Sequence, residues 1–374
     1  MRISNISNYV RSYMSSGVSY MILYVTSRCN QKCDFCFYAD SLNAQWGDGL
    51  TLDEITKVSK SVNPCVQWTL TGGETFLRKD LVDIVRVLVG YAGGRNLTFP
   101  TNGYMTDRIV SDMEKLCKEF PSMDFRIGLS IDALEETHDA IRGIRGAFRK
   151  AEQTFHEIKK MQRRFSNLHL ALNTVASKYN KNDLKQFIDY AVENLWCDDH
   201  SLVLVRGKAN KEDAKEINAQ EYHHLVAYLE KRKTEKSQAK TFHKRLLKFI
   251  ETETRAIVDK TYKEKAFQIP CVAGQKLAVL YDSGDLYPCE IIDMQDWPEK
   301  TKKNFGGNFR IGNIRDYDFD IDAMLNSERG KAIYNLIINS KCFCTFECSN
   351  AASIVFNPKT LVKTIISPPS AKVL

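Results

Sequence analysis

From residue 19 to about 206 the chain alternates short apolar runs with amphipathic stretches. The runs 19–26 (SYMILYVT), 65–71 (CVQWTLT), 96–100 (NLTFP), 124–131 (DFRIGLSI), 168–175 (LHLALNTV) and 201–206 (SLVLVR) are rich in β-branched and aliphatic residues and predict strands. The amphipathic segments near 52–62, 80–92, 106–119, 147–163 and 181–194 predict helices. The first of them opens on Thr51 with Glu54 three residues on, a capping box. Strand–helix alternation implies parallel strands joined by right-handed crossovers. Six such units are too few for an eightfold barrel. The expected fold class is therefore α/β, an open (β/α)6 partial TIM barrel over residues 1–206.

Residues 207–265 change character: they are polar, rich in Lys and Glu, and lack Pro until residue 270. They predict a loop and one or two solvated helices, a helical connector between domains. Residues 266–374 carry five cysteines among short strands and turns such as DSGD and FGGN, and predict a second, smaller domain.

Composition narrows the class. Hydrophobic residues make up 43% and charged residues 26%, enough for a sizeable core and too apolar for a disordered chain. No run of apolar residues is long enough to span a membrane, and no signal peptide is read at the N-terminus, so the expected address is the cytoplasm. The net charge of +7 comes from 53 basic and 46 acidic residues spread along the chain. No basic run is interleaved with aromatics, so a nucleic-acid partner is not expected.

The 11 cysteines matter more, since eight fall in two groups, at 29–36 and 271–348. In a reducing compartment such clustering points to metal rather than disulfides. Cys29, Cys33 and Cys36 stand in SRCNQKCDFC, a Cys-x3-Cys-x2-Cys loop just after the first predicted strand. Three thiolates can hold three irons of a [4Fe–4S] cluster and leave the fourth open to a small molecule. Zinc is the rival, but its sites are usually built from paired cysteines giving four ligands.

This loop resembles the signature of the radical S-adenosylmethionine superfamily, with Phe35 as the aromatic before the last cysteine. The resemblance implies a [4Fe–4S] cluster whose open iron chelates S-adenosylmethionine. Reductive cleavage would then yield a 5′-deoxyadenosyl radical that takes a hydrogen atom from the substrate. Further residues fit it. Gly72, Gly73 and Glu74 follow the second strand and resemble the motif whose carboxylate contacts the methionyl ammonium. Two glycines also let backbone approach closely, and Glu74 offers a charged acceptor. Asn102 ends the third strand, Ser130 and Asp132 the fourth, where ribose-bonding groups are implied, and Asn173 the fifth. All fall at the carboxyl edge of a parallel sheet, where ligands bind. Arg142, in HDAIRG, is a candidate partner for the ligand carboxylate.

The tail, with Cys271, Cys289, Cys342, Cys344 and Cys348, resembles the auxiliary-cluster domains called SPASM and their short form, twitch. Five cysteines fit the twitch form with one further [4Fe–4S] cluster and one spare thiol; Cys348 is expected as the fourth ligand, and Cys342 and Cys344 stay open as the third. A zinc ribbon is the alternative. Glu290, beside Cys289, is a candidate for facing substrate, and Cys197 for donating a hydrogen atom. Cys65 and Cys117 are expected in the core.

The expected function is oxidation of a small molecule by a radical S-adenosylmethionine enzyme, an auxiliary cluster accepting the electron and a flavodoxin- or ferredoxin-type donor supplying the first one. Epimerisation is a close variant. Modification of a ribosomal peptide is a second reading, disfavoured by the short stretch before the first strand. A non-catalytic iron–sulfur protein is the third; an electron carrier has no use for an amino-acid site.

Overall fold

The computed structural model describes residues 11–15, 17–43, 49–62, 64–236 and 242–357. The first ten residues, over which no signal peptide is read, lie outside the described residues, as do 237–241 in the connector and everything beyond 357.

Six parallel strands follow one another in the chain: β1 (Tyr20–Thr26), β2 (Gln67–Gly72), β3 (Asn96–Thr101), β4 (Asp124–Ser130), β5 (Leu168–Ala176) and β6 (Asp199–Leu204). Between them run α1 (Leu52–Ser61), α2 (Leu81–Tyr91), α3 (Thr106–Glu119), α4 (Glu135–Arg142), α5 (Ala147–Gln162) and α6 (Leu184–Asn194). The capping box at α1 is present: Glu54 donates its amide to Thr51 Oγ1 at 3.2 Å, and Thr51 donates its own to Glu54 Oε2 at 2.9 Å. The result is the expected α/β partial barrel. Trp68, Leu70, Leu97, Phe99, Phe125 and Ile127 are fully buried; they form part of the core cluster that holds Ile84, Leu88 and Ile109 of the helices.

The tail continues this sheet. β7 (Leu277–Leu280) pairs in parallel with β1, then β8 (Asp285–Tyr287) and β9 (Gly312–Asn313) add antiparallel strands, giving the order β6-β5-β4-β3-β2-β1-β7-β8-β9. Leu277–Leu280, within the segment expected as a smaller second domain, is thus hydrogen-bonded to the barrel's first strand. The remaining helices are α7 (Ala219–Lys236), α8 (Phe242–Glu264), α9 (Glu299–Asn304), α10 (Ile321–Asn326), α11 (Glu328–Asn339) and α12 (Glu347–Phe356).

The connector is not a merely solvated segment. Tyr222, Leu225, Leu229 and Val258 are buried. Arg255 of α8 and Lys233 of α7 pair with buried Asp199 at 2.7 and 2.8 Å. Lys and Glu on the outer face masked this apolar stripe in the sequence, since long charged side chains cover it from solvent. Among the described residues no helix is long and apolar enough to cross a membrane.

Candidate active site

The cysteine loop leaves β1 at the carboxyl edge and is held from three sides. The turn after β2 holds it first: Gly73 donates its amide to Thr26 O and Glu74 to Arg28 O, both at 2.8 Å. Here the glycines are obligatory. Gly72 has φ of 136°, and a Cβ on it would lie 2.0 Å from Thr26 O; one on Gly73 would lie 2.2 Å from Arg28 O. Gly73→Ala is therefore expected to lower stability by about 1–3 kcal/mol, from backbone displacement in a packed turn, read as a fall in the thermal midpoint of the metal-free protein.

The end of α4 is the second support. Its last carbonyls lack helical partners and take amides from the cysteine loop: Lys32 N to Arg142 O at 3.1 Å and Asp34 N to Ile141 O at 3.0 Å. Third, residues 209–214 close over it, with Asn210 donating to Cys36 O at 3.1 Å and Lys211 to Asp34 O at 2.7 Å.

Cys29, Cys33 and Cys36 line one cavity of about 220 Å³ together with Gln31, Phe35, Gly72, Gly73, Glu74, Asn102, Ser130 and Arg142. Its far wall is Val203, Leu204, Val205 and Arg206. Burial pushes the thiols up, to about 12 for Cys29 and about 11 for Cys36. Cys33 is raised by burial too, while Arg142 opposes it. Arg142 donates to Cys33 Sγ at 3.6 Å, stands 5.4 Å over the Phe35 ring, and pairs with Asp132 Oδ2 at 2.6 Å.

Glu74 is 2% exposed. It accepts from Thr101 Oγ1 at 2.7 Å, Asn102 N at 2.8 Å and Phe76 N at 3.2 Å. A carboxylate has about four acceptor positions, so about one is left for a ligand. Burial raises its pKa and these donors pull it back. Asn102 reaches across to Asn30 Oδ1 at 2.8 Å. Both polar atoms of the buried Gln31 amide lack a hydrogen-bond partner within the protein. Three thiols, a glycine-lined cradle, a buried carboxylate and an orphaned amide on one cavity suit a thiolate-held cluster with an amino-acid ligand beside it.

Two expected ligand contacts fall elsewhere. Asp132 is fully buried and does not line the cavity. Its carboxylate is taken up by Arg142 and by the Val175 amide at 2.9 Å, so it anchors Arg142 rather than offering an acceptor to a ribose. Arg142, in turn, is committed to Asp132 and Cys33, a support for the cysteine loop. Asn173 lies deeper, beside Gly128. Cys197 is excluded by position. It precedes β6 at the amino edge of the sheet, opposite the cysteine loop, and donates to Asp199 O at 2.9 Å.

The tail cysteines divide four and one. Cys271, Cys289, Cys342 and Cys344 line one cavity, with Ser349, Asn350 and Ser353 of α12 beside them. Cys348, expected as the fourth ligand, is not in that lining. Its thiol bonds the Tyr20 hydroxyl and lies near Glu290 and Arg206. The reason is helical: Cys348 and Ser349 are adjacent on α12 and point to different sides, and Ser349 Oγ takes the side that meets Cys271 Sγ at 3.2 Å. Among the described residues no three His, Cys, Asp or Glu side chains converge as around a single ion. A cubane, with each thiolate on its own iron, does not ask for that convergence.

Largely buried polar groups lie close to the first cavity and to the tail cysteines in sequence. Tyr24 donates to Glu290 Oε1 at 2.6 Å. Arg206 lines the first cavity, pairs with Glu347 at 2.8 Å and stands 4.9 Å over the Phe346 ring. Phe346 and Glu347 lie between Cys344 and Cys348. Sequence reasoning missed Arg206, although the rule that found Ser130 also applies to it: it follows the end of a strand at the carboxyl edge.

Residues 23–191 match the Radical SAM superfamily. This stretch is a domain of the radical S-adenosylmethionine superfamily. The chain is similar to several curated proteins. It is 26% identical to AdoMet-dependent heme synthase of Methanosarcina barkeri over 280 residues, 71% of this chain and 74% of that one. It is 30% identical to Fe-coproporphyrin III synthase of the same organism over 175 residues, 45% of this chain and 40% of that one. With GTP 3′,8-cyclase of Haemophilus influenzae it shares 30% over 193 residues, 49% of this chain and 51% of the cyclase. The radical enzyme thus spans about half or less of the last two. Its fold is shared with native anSMEcpe with bound AdoMet, at a TM-score of 0.59 and 18% identity over 85% of this chain and 83% of that one. It is shared too with Streptococcus suis SuiB bound to precursor peptide SuiA, at 0.58 and 15% over 88% and 70%. The superfamily's cofactors, a [4Fe–4S] cluster and S-adenosylmethionine, are those that the first cavity suits.

Proposed function

We propose that this radical enzyme dehydrogenates a small molecule, with a second cluster taking up the electron that the substrate releases. The observation that carries this reading is that four tail thiols line one cavity, while Glu347, three residues after Cys344, pairs with Arg206 in the wall of the first. When bound, the first cluster, on Cys29, Cys33 and Cys36, supplies the electron that splits S-adenosylmethionine into methionine and a hydrogen-abstracting 5′-deoxyadenosyl radical, and a second, on Cys271, Cys289, Cys342 and Cys344, supplies an acceptor.

The chain's own groups do the rest. Glu74 accepts from the ligand's ammonium. Asn102 and Ser130 offer polar contacts around it, and Val175, Val203 and Val205 give an apolar wall. Arg142 holds Cys33 and Phe35 in place. Glu290, pushed up by burial and bonded to Tyr24, suits the uptake of the proton that leaves with the electron. A reducing compartment, the cytoplasm, keeps the thiols free for clusters, and a flavodoxin- or ferredoxin-type protein is the proposed donor.

Glu74→Gln should weaken S-adenosylmethionine binding about 10- to 100-fold, the value of a hydrogen bond to a charged group, measured by titrating the ligand against the cluster's spectrum. The oxidative outcome is tested by supplying reductant well below the enzyme's turnovers. One electron enters and one leaves, so product should far outnumber reducing equivalents. A requirement for one reducing equivalent per turnover would contradict it. Peptide modification is the second reading; a fold shared with SuiB bound to its precursor peptide favours it, and the same assay with a peptide tests it.

A further inference from the structure

The mouth of the barrel has a role in this account; its interior does not yet have one. In closed barrels the inward side chains are bulky and branched and fill the middle. Side chains alternate along a strand, so the inward set can be read from the mouth. Thr71, Pro100, Ser130, Val175 and Val203 line the mouth cavity. Two or four places earlier stand Gln67 and Thr69 on β2, Asn96 and Thr98 on β3, Arg126 and Gly128 on β4, Ala171 and Asn173 on β5, and Asp199 and Ser201 on β6.

Apart from Gly128 and Ala171 these positions are polar, and they adjoin one another. Ser130, Asn173 and Ser201 are side by side in register on neighbouring strands, as are Thr69 and Thr98. Tyr20 of β1 bonds Thr69 at 2.9 Å, and Gln67 bonds Thr98 at 3.3 Å. Although they lie inside the sheet's span, Gln67, Thr98, Ser130, Asn173 and Ser201 are only partly buried, whereas their outward neighbours Trp68, Leu97, Leu129 and Leu172 are fully buried. Open space therefore lies on the inward side. Gly128 makes room for the Asn173 amide: a Cβ there would come 2.7 Å from Asn173 Nδ2.

The charges facing this space are already paired. Arg142 is held by Asp132 at 2.6 Å, Arg206 by Glu347 at 2.8 Å, and Arg126 by Asp199 at 3.1 Å. Among the described residues on these strands no cation is left over for a phosphate or carboxylate, while hydroxyl and amide groups are plentiful. Taking an anion into such a space without a counter-charge is costly. Hydroxyl groups of a ligand would instead satisfy the amides and hydroxyls in both directions.

We propose that the barrel interior selects an uncharged small molecule bearing several hydroxyl groups, with Gln67, Thr98, Asn173 and Ser201 as the residues that read them. This rests on the radical reading of the mouth cavity and names the substrate class for that same site. It sets the enzyme apart in chemistry from a relative whose name specifies GTP.

The test is 5′-deoxyadenosine release by the reduced holoenzyme at saturating S-adenosylmethionine. One set of reactions contains a neutral pool of myo-inositol, glucose and N-acetylglucosamine; another contains glucose 6-phosphate and GTP; a third contains a short peptide mixture. The neutral pool should raise release about tenfold or more over the uncoupled rate, since bound substrate aligns the abstracted hydrogen. The phosphorylated pool should not. Asn173→Leu and Gly128→Val should each cut the stimulation about tenfold, the value of one lost hydrogen bond or a comparable clash. Stimulation by the phosphorylated or peptide pool instead, or none by the neutral pool, overturns the proposal. Absence of uncoupled release in the unaltered holoenzyme would strike the radical reading itself, and so is distinguishable.

Discussion

Replacing Cys29, Cys33 and Cys36 together by alanine should abolish 5′-deoxyadenosine formation, a loss of at least about three orders of magnitude, because it removes the cluster whose open iron would hold the ligand and pass the electron to its sulfonium. The fold should survive. The loop's backbone is held by Gly73, Glu74, Arg142, Asn210 and Lys211 through bonds that do not use the thiols, and none of the three cysteines belongs to the main core cluster. The triple variant should therefore keep its secondary structure by circular dichroism and lose about four irons per chain. Arg142→Met offers a graded companion. It removes the donor to Cys33 and leaves Asp132 buried without its partner, which costs several kcal/mol. Cluster content should drop in that variant before cleavage chemistry changes.

The second large effect concerns the tail. Serine at Cys271, Cys289, Cys342 or Cys344 should lower iron from about eight to about four per chain and stop product formation, while 5′-deoxyadenosine is still released without coupling. Cys348→Ser should keep all the iron. That contrast separates the four thiols that share a cavity from the one that faces Tyr20 and Glu290. Four irons and one zinc in the unaltered enzyme would support the zinc alternative and remove the electron acceptor from the account. Iron loss in Cys348→Ser, with full iron in either Cys342→Ser or Cys344→Ser, would restore the ligand set expected from sequence.

Much of this architecture was legible in the sequence because two regularities were undisturbed. Each barrel strand is a short β-branched or aliphatic run, and each is followed by polar groups that the parallel topology collects at one edge. That logic located Cys29, Cys33, Cys36, Glu74, Asn102 and Ser130 around one cavity. It failed where a residue's task is decided by a neighbour distant in sequence. Asp132 sits at a strand end like Ser130, yet Arg142 of α4 captures it. The eight-residue α4 itself was missed, being mostly polar and only two turns long. Its burial of His138, Ile141 and Arg142 follows from docking against the cysteine loop, not from its own pattern. Cys348 was misplaced because spacing along a chain says nothing about which side of α12 a thiol takes. The connector hid its apolar stripe under Lys and Glu. Arg206 stood at a strand end and could have been named on the same logic as Ser130.

Every other expectation of activity depends on reductive cleavage of S-adenosylmethionine at the Cys29–Cys33–Cys36 site. Its most direct test is anaerobic incubation of the iron-reconstituted enzyme with dithionite and S-adenosylmethionine, followed by quantitation of 5′-deoxyadenosine and methionine. The account predicts that both appear in equal amounts and that neither forms when reductant or any of the three cysteines is missing. Full cluster occupancy with no 5′-deoxyadenosine, or cleavage that persists in the triple cysteine variant, would contradict it.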